Sequence, residues 1–160
     1  MATIIVEDGT IVENANSYVD VSTFTAYAAN RGIDIAGDAS TLLVSATDYL
    51  ETLKFVGTKE TRDQPLQWPR VNVYIDGFYY APTDIPSQLK TAQMEVAMSL
   101  DSDIDPQAPI ERKTTKEKVG PIEVEYSESS ASNTINPKIS SALKGLTVGL
   151  GGFQFAVSRA

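Results

Sequence analysis

The sequence predicts a mainly α fold, a small helical domain with an inserted β-hairpin and extended N- and C-terminal arms. Three patterns lead there. Apolar residues recur at helical spacing in three stretches, most clearly Leu42, Leu43, Ala46, Tyr49, Leu50 and Leu53. Ile122-Glu123-Val124-Glu125-Tyr126 alternates strictly, the period of a half-buried strand. Both ends are extended: Thr3-Ile4-Ile5-Val6 at the start, and Phe153, Phe155 and Val157 at period two behind glycines at the end. The 160 residues suit one domain, large enough to bury a core without staples.

In chain order, residues 1–16 read as an extended arm, with Asp8-Gly9 between β-branched runs suggesting a small hairpin. A first helix is predicted over about Ser22 to Arg31, closed by Gly32, with Phe24, Tyr27 and Ala28 on its apolar face. The second starts at a Ser40 or Thr41 cap and runs toward Gly57. Residues 58–84 hold no helical period and read as a long loop rich in aromatics and turn residues. Ile85-Pro86 opens a third helix with Leu89, Ala92, Val96, Ala97 and Leu100 as its stripe.

Next comes the hairpin, about residues 111–127. Arg112 to Lys118 holds four bases and one Glu, whereas residues 123–128 hold three Glu and no base. Ser127 to Asn136 is a polar linker, and Pro137 opens a short helix through Leu143, stopped by Gly145. The domain therefore spans 17–146, and 147–160 form a C-terminal docking tail. The predicted core is Tyr27, Leu43, Tyr49, Leu50, Trp68, Leu89 and Val96. Predicted partner contacts are Arg112, Lys113, Lys116, Lys118, Glu123, Glu125 and Tyr126 on the hairpin. In the tail they are Leu150, Phe153, Phe155 and Val157, apolar residues able to add a strand to another chain or to pack on their own.

Composition argues against catalysis. The chain has no cysteine and no histidine, so it lacks thiolate chemistry and the commonest general base and metal ligand. No Gly-x-Ser-x-Gly elbow appears. Asp101, Asp103 and Asp105 imitate a calcium loop, but its sixth and twelfth positions are Pro106 and Arg112, where Gly and Glu are needed. Gly149-Leu150-Gly151-Gly152 lacks the Lys-Ser/Thr of a phosphate cradle. The expectation is no enzyme, no metal and no cofactor. The N-terminus does not read as a secretory signal, and no apolar run is long enough for a membrane helix.

Net charge is −8, unevenly spread: through Ile110 there are 6 Lys and Arg against 16 Asp and Glu, and beyond it 7 against 5. An acidic body disfavours wrapping of a phosphate backbone. Trp68, Tyr74, Phe78, Tyr79 and Tyr80 near Arg70 and Lys59 could stack on single-stranded bases. With so few cations around them, a plug beneath the helical core is the favoured reading.

Ala15-Asn16-Ser17-Tyr18-Val19, Ala46-Thr47-Asp48-Tyr49-Leu50, Leu66-Gln67-Trp68-Pro69-Arg70, Ile85-Pro86 and Lys118-Val119-Gly120 leading to Glu125-Tyr126 together resemble a tailed-phage family of DnaT-like, single-stranded-DNA-binding-like proteins. Many of its members look like head–tail connector adaptors. The likeness covers about residues 15–128. It implies a homo-oligomeric ring, dodecameric, beneath the portal protein in the virion. The ring would join portal to a tail or stopper protein and pass genomic DNA through its lumen without sequence-specific binding, with no membrane partner. The protein would be made in the bacterial host cytoplasm. The family label implies a rival activity, binding of single-stranded DNA.

Overall fold

A computed structural model describes residues 2–104, 116–119, 122–125 and 137–148. It is a small, mostly helical domain with four helices and short antiparallel β pairs. The helices are α1 (Val21–Ala29), α2 (Ala39–Glu51), α3 (Ser87–Asp101) and α4 (Pro137–Ala142). Between α2 and α3 lie β1 (Thr58–Lys59), β2 (Arg70–Val71), β3 (Val73–Ile75) and β4 (Phe78–Tyr80); β5 (Lys116–Val119) and β6 (Ile122–Glu125) follow α3. Strands pair as β1–β2, β3–β4 and β5–β6, each antiparallel.

The helices form where the apolar spacing predicts them, but the first two start a residue or two earlier, at carboxylate caps. Asp20 caps α1 by accepting from Thr23 N, and Asp38 caps α2 by accepting from Ser40 N. Ser40 and Thr41, expected as caps, lie inside α2 and donate their hydroxyls to Asp38. An ionised carboxylate at a helix N-terminus satisfies orphan N–H groups and opposes the macrodipole, so it outcompetes a hydroxyl. At the start of α3, Pro86 is the N-cap and makes no side-chain capping bond.

Helix α3 is the spine, packing most extensively on α2 and then on α4. Leu43 and Leu50 of α2, Leu89 and Val96 of α3, and Ile139 of α4 are fully buried, with Leu143 and Leu146 beyond α4. A Leu or Phe side chain taken fully from water contributes about 1.5–3 kcal/mol. Tyr49 and Trp68 are also buried, whereas Tyr27 is partly buried and packs on the cluster's edge.

Gln93 ties three elements together inside this apolar core. Its Nε2 donates to Ser17 Oγ, Leu43 O and Thr47 Oγ1, and its Oε1 accepts from Tyr18 N at 3.0 Å. A buried amide with both ends partnered fixes how the N-terminal segment lies across α2 and α3.

The N-terminal segment differs from expectation. Asp8-Gly9 makes no hairpin; the Glu7 carboxylate, fully buried, accepts from the backbone N–H groups of Gly9, Ile11 and Val12. Those donors would otherwise have served a strand ladder. The segment instead bridges Val6 to Ser17 in parallel. Ile4, Ile5 and Val12 pack against the core.

At the other end, Phe55 bridges Thr147 antiparallel, Val56 N donates to Leu146 O, and Val148 N donates to Lys54 O. The chain after α4 is thus stitched to the exit of α2.

Candidate functional site

The stretch expected to be a structureless loop contains a tight hairpin. Its turn, Asp76-Gly77, has φ values of 52° and 85°. Two consecutive positive φ angles match a turn whose twist fits the flanking strands, and Asp-Gly is a preferred pair for it. The register is Val73↔Tyr80, Tyr74↔Tyr79 and Ile75↔Phe78.

Strand alternation sorts the side chains. Val73 and Ile75 are buried in the core cluster, which anchors the hairpin to the domain. Tyr74 and Tyr79 are 64% and 55% exposed, and their ring centroids lie 5.4 Å apart at 53°. Phe78, beside the turn, is 74% exposed. Tyr74 and Tyr79 thus share the face turned away from the core, whereas Phe78, paired with Ile75, belongs to the core-side face and is exposed at the hairpin tip. Isolated exposed apolar residues are ordinary, but two rings in contact on one outer face, with a third exposed at the tip, offer an apolar surface.

Beneath the hairpin, the Trp68 ring is buried and meets Phe55 edge-on at 6.0 Å. The Trp68–Pro69 peptide is cis. Arg70, the nearby cation in the disfavoured stacking reading, is a structural clamp. Its Nε donates to Val56 O at 2.7 Å, and its Nη atoms donate to Gln67 O, Gln67 Oε1, Phe55 O and Gly57 O. A guanidinium surrounded by carbonyl oxygens cannot present its fork to a phosphate. Gln64 completes the frame, accepting from Thr61 N and donating to Leu66 O and Pro69 O.

Nearby, Tyr18 donates its hydroxyl to Glu51 Oε1 at 2.7 Å, and the same oxygen accepts from Gln67 N. Burial pushes the Glu51 carboxyl and the Tyr18 phenol above their ordinary ranges, and burial lowers Arg70. These shifts arise where the loop is bolted to α2. They mark a packed junction.

The acidic run after α3 also has a structural role. Asp101 accepts from Ala36 N and Gly37 N at 3.1 and 2.8 Å, tying the α1–α2 connection to the end of α3. Among the described residues no group of three Asp or Glu is placed to hold a metal ion. No described helix is long and apolar enough to cross a membrane.

Of the predicted contacts, Lys116 and Lys118 lie on β5 and Glu123 and Glu125 on β6, in the register Lys116↔Glu125 and Lys118↔Glu123. The basic and acidic strands are therefore paired with each other along the backbone. Arg112, Lys113, Tyr126, Leu150, Phe153, Phe155 and Val157 lie outside the described residues. Sequence reasoning grouped Trp68 with Tyr74, Phe78 and Tyr79 as one plug; the fold separates them, burying Trp68 and exposing the other three. The signal was available in the alternation Val73-Tyr74-Ile75 ahead of Asp76-Gly77.

A family model described as "Putative DnaT-like ssDNA binding protein" matches residues 2–160. No curated protein and no solved structure matches the chain.

Proposed function

The chain belongs to that DnaT-like family, and from this premise we propose that it is a non-catalytic module that binds single-stranded DNA on the β3–β4 hairpin. The observation that supports this reading is the pair Tyr74 and Tyr79 on the outer face of a core-anchored strand pair, with Phe78 exposed at its tip. Aromatic rings offer flat apolar faces to unstacked bases, at about 1–3 kcal/mol per base. A duplex hides those faces in its own stack, so the site would prefer single strands. Lack of histidine and cysteine fits a protein that works by contact.

Titrating the full chain into a labelled oligothymidylate and into a duplex of equal length tests this. Saturable binding of the single strand, with weaker binding of the duplex, is expected. Equal binding, or none, contradicts it.

A second reading is a structural phage head–tail adaptor, forming a ring under the portal and linking capsid to tail. The net charge of −8 and the sequestered Arg70 favour it, because both reduce the attraction of a phosphate backbone. In a ring each subunit needs two different complementary surfaces, and the exposed hairpin would supply one of them. Particles assembled without the protein would then lose packaged DNA or fail to join tails; normal, tailed particles would contradict the adaptor role.

A further inference from the structure

The chain contains two Asp-Gly pairs, Asp8-Gly9 and Asp76-Gly77, and no Asn-Gly. An Asp-Gly pair carries a latent reaction, because glycine has no side chain to shield its N–H from the preceding carboxyl. The fold treats the two pairs differently. At the first, Gly9 is buried, its N–H donates to Glu7 Oε1 at 2.8 Å, and a Cβ on it would lie 1.9 Å from Thr83 O. The Asp8 carboxylate accepts from Thr10 Oγ1 and Thr10 N at 2.7 and 3.0 Å, and these bonds hold its carboxyl below the ordinary range. Nucleophile and electrophile are both tied down. At the second pair, Asp76, Gly77 and Phe78 are exposed, and a Cβ on Gly77 would meet no heavy atom within 4 Å. The bond that closes a two-residue turn joins Ile75 and Phe78, which leaves the Gly77 N–H to solvent. Asp76 sits at φ 52°, a region that disfavours side chains, so departure from it relieves strain.

We propose that Asp76-Gly77 is a site of spontaneous succinimide formation and conversion to isoaspartate, which gives the Tyr74–Tyr79 face a finite chemical lifetime. The proposal does not depend on what that face binds. Gly77 N gives up its proton and bonds to Asp76 Cγ, and the hydroxyl oxygen of the protonated carboxyl leaves as water. Water then opens the ring at either carbonyl. Addition at Cγ restores aspartate, whereas addition at the Asp76 main-chain carbonyl carbon breaks its bond to Gly77 N and routes the chain through Cβ and Cγ. The main chain is then one atom longer. A two-residue turn has no slack for it, so the Tyr74↔Tyr79 pairing opens.

The test ages the full chain in warm neutral buffer, with a parallel sample unfolded in guanidinium chloride. Trypsin cuts after Arg31, Arg70 and Lys90, so the two pairs leave in separate peptides, 1–31 and 71–90. Isoaspartate is read as a retention shift at unchanged mass and by labelling with an isoaspartyl methyltransferase. In the folded protein, peptide 71–90 should convert at least about 10-fold faster than 1–31, the ratio that about 1.4 kcal/mol of extra local opening cost at Asp8 imposes. In guanidinium the two rates should converge. Asp76→Glu, whose longer side chain cannot close a succinimide, should abolish conversion in 71–90. Purified converted protein should lose the near-ultraviolet circular dichroism of its tyrosines. Absence of conversion in folded 71–90, equal rates in the folded protein, or a ratio that guanidinium leaves unchanged overturns the proposal. Conversion that persists in Asp76→Glu places the reaction at Asp84 and overturns it too, and an unaltered tyrosine signal overturns the loss of the face.

Discussion

At the residue scale, the fold depends on a few buried polar side chains whose partners are all protein atoms. Gln93 is the clearest. Truncating it to Ala leaves Tyr18 N without its acceptor and opens a cavity in an apolar interior, while Ser17 Oγ keeps Val19 and Thr47 Oγ1 keeps Leu43 O. Each buried group left unpaired costs about 1–3 kcal/mol, partly relieved by regrouping. Gln93→Ala should therefore destabilise by about 2–4 kcal/mol, read as a lower urea midpoint at unchanged m-value. The helix caps give a pH signature. Hydrogen bonds from Ser22 and Thr23 hold Asp20 at about 2, below its ordinary 3.8, and Ser40 and Thr41 do the same for Asp38. A carboxyl depressed in the folded state contributes stability above its unfolded value and loses it as pH falls through the folded one. The stability gap between parent and Asp20→Ala should thus be full at pH 5 and close between about 4 and about 2. A gap that is constant across that range in acid titrations would mean that the cap does not depend on ionisation.

At the scale of elements, the two Asp-Gly pairs explain what could and could not be read from sequence. Both sit between β-forming residues, yet only Asp76-Gly77 turns a hairpin. At Asp8-Gly9 the difference comes from outside the dipeptide. Glu7 folds back onto the N–H groups, and Gly9, at φ 105°, is pressed so close to the Thr83 carbonyl that a Cβ would collide with it. Gly9→Ala should destabilise by more than about 1 kcal/mol, because it adds both a clash and a disfavoured φ. Gly77→Ala, with open space around its Cβ, should show only the φ penalty; thermal melts of the two variants make the comparison. Helical periodicity was legible in α1 and α2 because one face of each meets the core, whereas Ala92 to Ser99 of α3 are buried on every side. The Arg70 clamp was not, since its acceptors come from residues 55–57 and 67, brought together only by the fold. The same holds for Asp101, whose partners are the amides of Ala36 and Gly37, far away in sequence.

At the scale of the whole molecule, the acidic balance and the aromatic hairpin pull in different directions. Charge opposes long-range attraction of DNA; exposed rings offer short-range stacking. The candidate surface was only half legible in the sequence. The sequence reading grouped Trp68 with the exposed rings, because which of them faced solvent depended on a strand register that a loop assignment conceals. Photocrosslinking tests the central claim most directly, using an oligonucleotide that carries 5-iodouracil and transfers to stacked aromatic rings. Trypsin cuts after Arg70 and Lys90, so residues 71–90 leave as one peptide that holds Tyr74, Phe78 and Tyr79, separate from Trp68. Adducts concentrated in that peptide are the predicted result. Adducts confined to the peptide containing Trp68, or to those from the basic stretch 112–118, would contradict it.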